Sequence, residues 1–452
     1  MSRYPARMRI GVGLGLAAVL ASLAAADPAT RSVDALAYRQ KILRILDAVE
    51  LQVPQLTAIA SAAANHYVRD ETLGLGVDGT RCFIHEASYR SGGLIGVSRP
   101  DQMEKAPWKG IVLYALREGQ TTEDAKRLAG YAKRGCPLVI FGTERLLNQV
   151  HLSETAVLGK VVVPAGSAAA PTYPLATMAT LWSWMGEFVA ACTRAEKMPP
   201  MYQSIRVPMA RARNDQLRNV RFHADKPRPM AGGALAKAYL HSMRSRFEKL
   251  QQRQAATITR IAQLAVERRR QGKRLFMVGG AHGAAYLTEG SNHPGLFEDI
   301  TQRWRQQHAK DYPPDHPKIA FKPGDILLVV GYDYVPNTGG WFNLADKARQ
   351  GGATLILCIA TFRPDQMSQV KPGDVLLNMP WGLGDADVSL PGYDVKILPT
   401  SNVLAAAVYG MINAEMLALA SATTQPASIH DWVREVIDRK EEGDRPVASE
   451  GQ

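Results

Sequence analysis

Apolar positions fall into two kinds of run along this chain. Across 34–65, Leu36, Ile42, Ile45, Leu46, Val49, Val53, Leu56 and Ile59 recur at helical spacing, predicting a helix with one apolar stripe that Pro54 breaks or kinks. A second long helix is predicted over 235–271, with Tyr239, Leu240, Phe247, Leu250, Ile258, Ile261, Leu264 and Ala265 on its stripe and Gly272 as its stop. The unbroken apolar runs at 111–115, 138–141, 275–278, 326–330 and 355–360 read as buried strands. The first two bracket a polar helix that ends Tyr131-Ala132-Lys133-Arg134-Gly135, and the last two bracket one that ends Lys347-Ala348-Arg349-Gln350-Gly351-Gly352. Strand, helix, glycine cap, strand is the unit of a parallel sheet.

The halves also end alike. Val161-Val162-Val163-Pro164 leads into an apolar helix over 175–192, and Val395-Lys396-Ile397-Leu398-Pro399 leads into another over 400–419. The pattern therefore predicts an internally duplicated α/β chain, with lobes at 34–195 and 234–420 and ligand sites near where they meet. The segment 196–233, with Pro199, Pro200, Pro208, Pro227 and Pro229, is the expected linker. Residues 290–324 read as surface loop with a short helix near 297–308, and 421–452 as a polar tail with a short helix over 429–439.

The first 26 residues stand apart. Arg3, Arg7 and Arg9 precede an apolar stretch that closes on Ala24-Ala25-Ala26 before Asp27, the layout of a secretory signal. The expectation is an exported protein, periplasmic or extracellular, without a lipid-anchoring cysteine; an uncleaved anchor is the alternative. No later segment reads as long and apolar enough to cross a membrane.

Composition is that of a globular domain pair, 46% hydrophobic and 21% charged. The charge of +12 is uneven: 194–274 holds twenty Lys and Arg against five Asp and Glu. That stretch contains no nucleic-acid module, so nucleic acid is not the expected partner. A solvated helix face is the first reading, with contact to an anionic envelope surface as the alternative. Cys82, Cys136, Cys192 and Cys358 are scattered and read as buried thiols. No metal and no cofactor is expected. Gly74-Leu75-Gly76-Val77-Asp78-Gly79 satisfies GxGxxG alone, too little for a nucleotide site, and His293, His308 and His316 lack metal-site spacing.

The second half resembles the sugar isomerase (SIS) domain, in particular a branch whose first loop reads GTGHS. The matching stretches are Val278-Gly279-Gly280-Ala281-His282, Glu289, 322–330, Gly352-Ala353-Thr354, Ile359-Ala360-Thr361 and Pro399-Thr400-Ser401. The first half resembles the same domain through Glu86-Ala87-Ser88-Tyr89-Arg90-Ser91-Gly92-Gly93-Leu94, matching that branch's glutamate followed by YRAGGL. The resemblance implies a tandem pair of doubly wound αβα lobes with parallel sheets and flavodoxin-like topology, similar to the isomerase half of glucosamine-6-phosphate synthase. It implies a sugar-derivative ligand, and a homodimer is a further partner expectation.

By the same resemblance, Gly279, Gly280, Ala281 and Gly283 would offer backbone amides to the ligand, with Tyr332, Asp333, Thr361, Thr400, Ser401 and Arg90 around them. Glu289, His282 and Glu86 are the candidate catalytic groups, since aldose–ketose isomerisation needs a general base and often a ring-opening histidine. The family's hydroxyl-rich phosphate loop is replaced here by Gly331-Tyr332-Asp333-Tyr334. An aspartate there repels phosphate, which favours an uncharged or aminated sugar. The expectation is an exported, catalytically degenerate binder of a sugar derivative. An isomerase or lyase using Glu289 as base is the rival, and a structural paralogue without ligand the third reading.

Overall fold

The structure, a computed structural model, describes residues 33–105, 108–165, 172–279, 296–307, 318–333 and 341–421. The segments predicted as signal and polar tail, and the loop residues Gly280, Ala281, His282, Gly283 and Glu289, lie outside the described residues.

Two parallel five-stranded sheets organise the chain. The first contains β1 (Gly74–Gly79), β2 (Val97–Ser98), β3 (Gly110–Ala115), β4 (Leu138–Gly142) and β5 (Val157–Val162), in the order β2-β1-β3-β4-β5. The second contains β6 (Leu275–Gly279), β7 (Glu298–Asp299), β8 (Ile326–Asp333), β9 (Thr354–Ala360) and β10 (Val375–Asn378), in the order β10-β9-β8-β6-β7. Counted from its own first strand, each sheet has the same doubly wound order, 2-1-3-4-5. A short antiparallel pair, β11 (Ala386–Val388) and β12 (Ile397–Pro399), follows the second sheet.

The helices of the first lobe are α1 (Val33–Leu51), α2 (Val53–Arg69), α3 (Arg81–Ala87), α4 (Pro100–Met103), α5 (Thr121–Lys133), α6 (Glu144–Gln149) and α7 (Tyr173–Arg194). The predicted break at Pro54 falls between α1 and α2, with the proline in the first turn of α2, where its missing N–H costs no hydrogen bond. The connecting segment holds α8 (Ala210–Leu217). The second lobe brings α9 (Ala234–Arg270), α10 (Thr301–Gln306), α11 (Trp341–Gln350), α12 (Pro364–Met367) and α13 (Ser401–Ser421).

Side-chain alternation shows why the second sheet is covered on both faces. Leu275, Met277, Ile326, Leu328, Val330, Ile356 and Cys358 join a core continuous with the first lobe. Their neighbours Phe276, Val278, Leu327, Val329, Leu355 and Leu357 form a separate core with Trp304 and Leu344. The shared core is a helical layer in which α7, α9 and α13 pack together and α1 crosses to α13. Contrary to the sequence expectation, α13 is long and apolar enough to cross a membrane, but 67% of its apolar stretch is buried in this layer. It is a core helix, apolar on most of its surface because most of that surface is covered.

A buried carboxylate ties the lobes. Glu187 of α7 accepts from the backbone N–H of Gly233 at 2.6 Å and of Ala236 at 3.0 Å, and from Thr57 Oγ1 at 2.8 Å. It thereby caps α9, whose first N–H groups have no helical partners. Much of the basic excess is likewise consumed internally. Arg213 pairs with Asp394, Arg244 with Asp47, Arg246 with Asp387 and Arg274 with Asp325.

The GxGxxG match is itself strand β1, which the sequence reading did not recognise as one. A Cβ at Gly76 would lie 2.0 Å from Met103 Sδ, and one at Gly74 3.1 Å from Trp108 Nε1. These glycines make room for side chains laid across the strand. All four cysteines are buried, and none of them forms a disulfide.

Candidate functional site between the lobes

The site is assembled where the loop after α3 enters the second lobe. Gly92 adopts a φ of +77°, and a Cβ there would sit 2.5 Å from the Ala386 Cβ. Only glycine allows so close an approach. The Gly92 carbonyl accepts from Leu398 N at 2.9 Å, and its N–H donates to the Tyr202 carbonyl at 2.7 Å. This stitching drives Arg90, 3% exposed, into the second lobe.

There the Arg90 Nη2 donates to Asp385 Oδ2 at 2.8 Å and to Ser401 Oγ at 3.1 Å. Its Nε lies 3.4 Å from Glu86 Oε2. Asp385 Oδ1 accepts the Ser401 backbone N–H at 2.9 Å. The Asp385 carboxylate thus sits on the N-terminus of α13, where the helix dipole favours negative charge. The loop carrying Asp385 is held from α9: Arg246 forks onto Asp387 at 2.6 and 2.9 Å, and Ser242 Oγ donates to Asp387 Oδ2 at 2.7 Å.

Glu86 is buried behind this pair. Trp182 Nε1 donates to its Oε1 at 2.7 Å, and Asn402 Nδ2 donates to its Oε2. Burial raises the Glu86 carboxyl above its ordinary value, while Arg90, Trp182 and Asn402 pull it down.

A cavity of about 100 Å³ lies against this cluster, lined by Arg90, Ser91, Ser204, Tyr332, Trp381, Ser401 and Asn402 among others. It sits at the carboxyl end of β8, beside the β6/β8 switch point where doubly wound sheets hold ligands. One wall is aromatic. Tyr332 and Trp381 stack with 6.1 Å between centroids and 6° between planes, and Phe362 tilts on Tyr332 at 5.3 Å. The stack is pinned because Tyr332 Oη donates to the Gly382 carbonyl at 2.8 Å and Trp381 Nε1 to the Tyr332 carbonyl at 2.9 Å.

Asp333 points beside the cavity and pairs with Arg206 at 3.0 Å; burial holds its carboxyl above the usual range despite that partner. Both guanidiniums lining the cavity, Arg90 and Arg206, are therefore committed to carboxylates of the chain.

Of the residues singled out in the sequence, Arg90, Tyr332 and Ser401 line the cavity, with Asp333 next to it. Thr400 lies beneath, its Oγ1 donating to the Asp385 carbonyl at 3.4 Å. Thr361 is not among the lining residues; its N–H donates to Asn378 Oδ1 at 3.2 Å. The Gly279 N–H is taken by Thr301 Oγ1 at 2.9 Å. Glu86 does not line the cavity. Sequence reasoning missed Asp385, Trp381, Arg206 and Asn402. The Trp381-Gly382-Leu383-Gly384-Asp385 turn was a visible signal, with two glycines beside an aromatic and an acid.

No family model and no curated protein matches the chain. Solved structures similar to it include the C-terminal domain of glucosamine-fructose-6-phosphate aminotransferase from Francisella tularensis, at 11% identity and TM-score 0.47, covering 88% of this chain and 99% of that one. Another is tagatose-6-phosphate ketose/aldose isomerase from Escherichia coli, at 11% identity and TM-score 0.45, covering 86% and 94%. A proposed sugar binding protein from Salmonella typhimurium LT2 has 11% identity and TM-score 0.46, covering 84% and 99%. At this identity and these TM-scores the likeness assigns neither a family nor a ligand. The chain has a two-lobed α/β fold whose two parallel sheets share one doubly wound strand order.

Proposed function

We propose that the chain binds an unphosphorylated sugar derivative, uncharged or aminated, in the cleft between its lobes. The observation that carries this reading is Asp385. The α13 N-terminus and the Arg90 guanidinium form a pair of groups suited to an anion, and the Asp385 carboxylate already occupies it. Around the cavity, Glu86, Asp333 and Asp385 stand against Arg90 and Arg206. Three carboxylates against two guanidiniums leave no surplus of positive charge for a phosphate. The stacked Tyr332 and Trp381, with the hydroxyls of Ser91, Ser204 and Ser401, offer an apolar face and hydrogen-bonding groups, which suit a sugar ring.

Isomerisation requires a base with an oxygen facing the ligand. Both Glu86 oxygens accept hydrogen bonds from Trp182 and Asn402, so Glu86 serves this reading as a positioning residue for Arg90. Binding without catalysis is the reading we adopt on the charge balance around the cavity; Glu289 and His282, the other candidate catalytic groups, lie outside the described residues. Export rests on the signal-like segment 1–26, and the duplication on the shared strand order.

Thermal unfolding tests the assignment. Glucosamine or N-acetylglucosamine is expected to raise Tm, because a ligand that binds only the native state stabilises it, and glucosamine-6-phosphate is expected to raise it less. A larger shift with the phosphorylated sugar contradicts the reading.

A further inference from the structure

We infer that the sugar site has a second subsite and takes a ligand of at least two glycosidically joined rings. This rests on the sugar-binding reading above. The first cavity, about 100 Å³, is small beside the roughly 300–1,000 Å³ of ordinary small-molecule pockets. A second cavity of about 800 Å³ lies next to it, and Ser91 and Ile205 line both. The two cavities therefore adjoin at these residues, and a ligand longer than one ring can extend from the first into the second.

The second cavity carries its own aromatic pair. Tyr89 and Tyr202 stand 6.2 Å apart at 46°, an open angle between two ring faces. Tyr89 is 44% exposed and holds a φ of +59°, in a backbone region that a bulky side chain rarely adopts. The ring is nevertheless held in place, with the Arg99 guanidinium 4.9 Å from the ring centroid and Gln102 Nε2 donating to its hydroxyl at 3.3 Å. Strain retained at an exposed aromatic beside a cavity is typical of a ligand contact. The polar side of the cavity is also fixed, since the Asn214 amide bonds the Gln203 backbone N–H at 2.9 Å and its carbonyl at 2.8 Å. Tyr89 and Arg90 are adjacent in the chain, so the turn that sends Arg90 into the first cavity presents Tyr89 to the second.

Isothermal titration of the full chain with glucosamine and with chitobiose, its β-1,4-linked dimer, tests this. The dimer is expected to bind about tenfold more tightly, the gain that one well-seated ring contact gives. In Tyr89→Asn, whose new side chain tolerates the left-handed backbone, and in Tyr202→Ala, the dimer-to-monomer ratio is expected to fall towards one. Equal affinities in the wild type overturn the second subsite and leave the single-site reading standing. A tighter dimer whose advantage survives both substitutions overturns its placement at the tyrosines. Binding of neither sugar overturns both readings.

Discussion

Arg90 of the first lobe lies 2.8 Å from Asp385 of the second, with the two side chains 3% and 4% exposed. Neither lobe contains this pair alone. The contact sets the lobes in register and fills the anion position at the start of α13. Replacing Arg90 with methionine leaves Glu86 and Asp385 buried without their shared counter-charge, a defect that costs roughly 3–5 kcal/mol. Urea unfolding of Arg90→Met is expected to show that loss at neutral pH and a partial recovery in mild acid, as the stranded Glu86 carboxylate takes up a proton. A loss below about 1 kcal/mol, typical of an exposed pair, would show that the contact is not structural.

Glu86 makes a pH-dependent contribution of defined sign. Burial raises its carboxyl above the ordinary 4.5 in the folded chain. Between 4.5 and the raised value the folded state therefore binds more protons than the unfolded one, and stability falls as pH rises. The stabilisation due to Glu86 is complete below 4.5 and is lost as pH climbs through the folded-state pKa. The difference in unfolding free energy between wild type and Glu86→Gln should decline from pH 4.5 towards neutrality. A difference that grows with pH contradicts the burial argument.

Tyr332 and Trp381 separate stacking from hydrogen bonding. If the stack is the sugar platform, Tyr332→Ala and Trp381→Ala weaken glucosamine binding about tenfold, since an aromatic contact gives up to ~1.5 kcal/mol beyond its buried area. Tyr332→Phe keeps the ring and removes only the 2.8 Å bond to the Gly382 carbonyl. Its expected effect is about 1 kcal/mol of stability with most of the affinity retained. Titration together with thermal unfolding checks the split, and equal losses in Tyr332→Phe and Tyr332→Ala would argue against stacking.

The fold was legible where local rules act alone. The apolar runs 111–115 and 326–330 are central strands because both faces are covered, and the capping glycines Gly135 and Gly352 have φ of +73° and +77°. β1 was hidden because Gly74, Gly76 and Gly79 give it no β-branched signature; their hydrogens make room for Trp108, Met103 and the Ala115 backbone. Arg90, Tyr332 and Ser401 were named from their motifs and do share a cavity. Asp385 was not, because its role depends on Arg90, 295 residues away, and no local pattern records that pairing. Within the basic stretch 194–274, Arg206, Arg213 and Arg246 reach acids more than a hundred residues distant, pairings that no local pattern records.

The central claim, that the Asp385 carboxylate stands where a phosphate would bind, is tested most directly by titrating glucosamine-6-phosphate into wild type and Asp385→Asn. Asparagine keeps the shape and tolerates the φ of +68° at this position, while it removes the negative charge that neutralises the α13 N-terminus and Arg90. The account predicts that the variant binds glucosamine-6-phosphate about tenfold or more tightly than wild type, as expected when a helix N-terminus and a guanidinium are no longer neutralised by an internal carboxylate. A wild type that already prefers the phosphorylated sugar, or a variant with no gain, contradicts it.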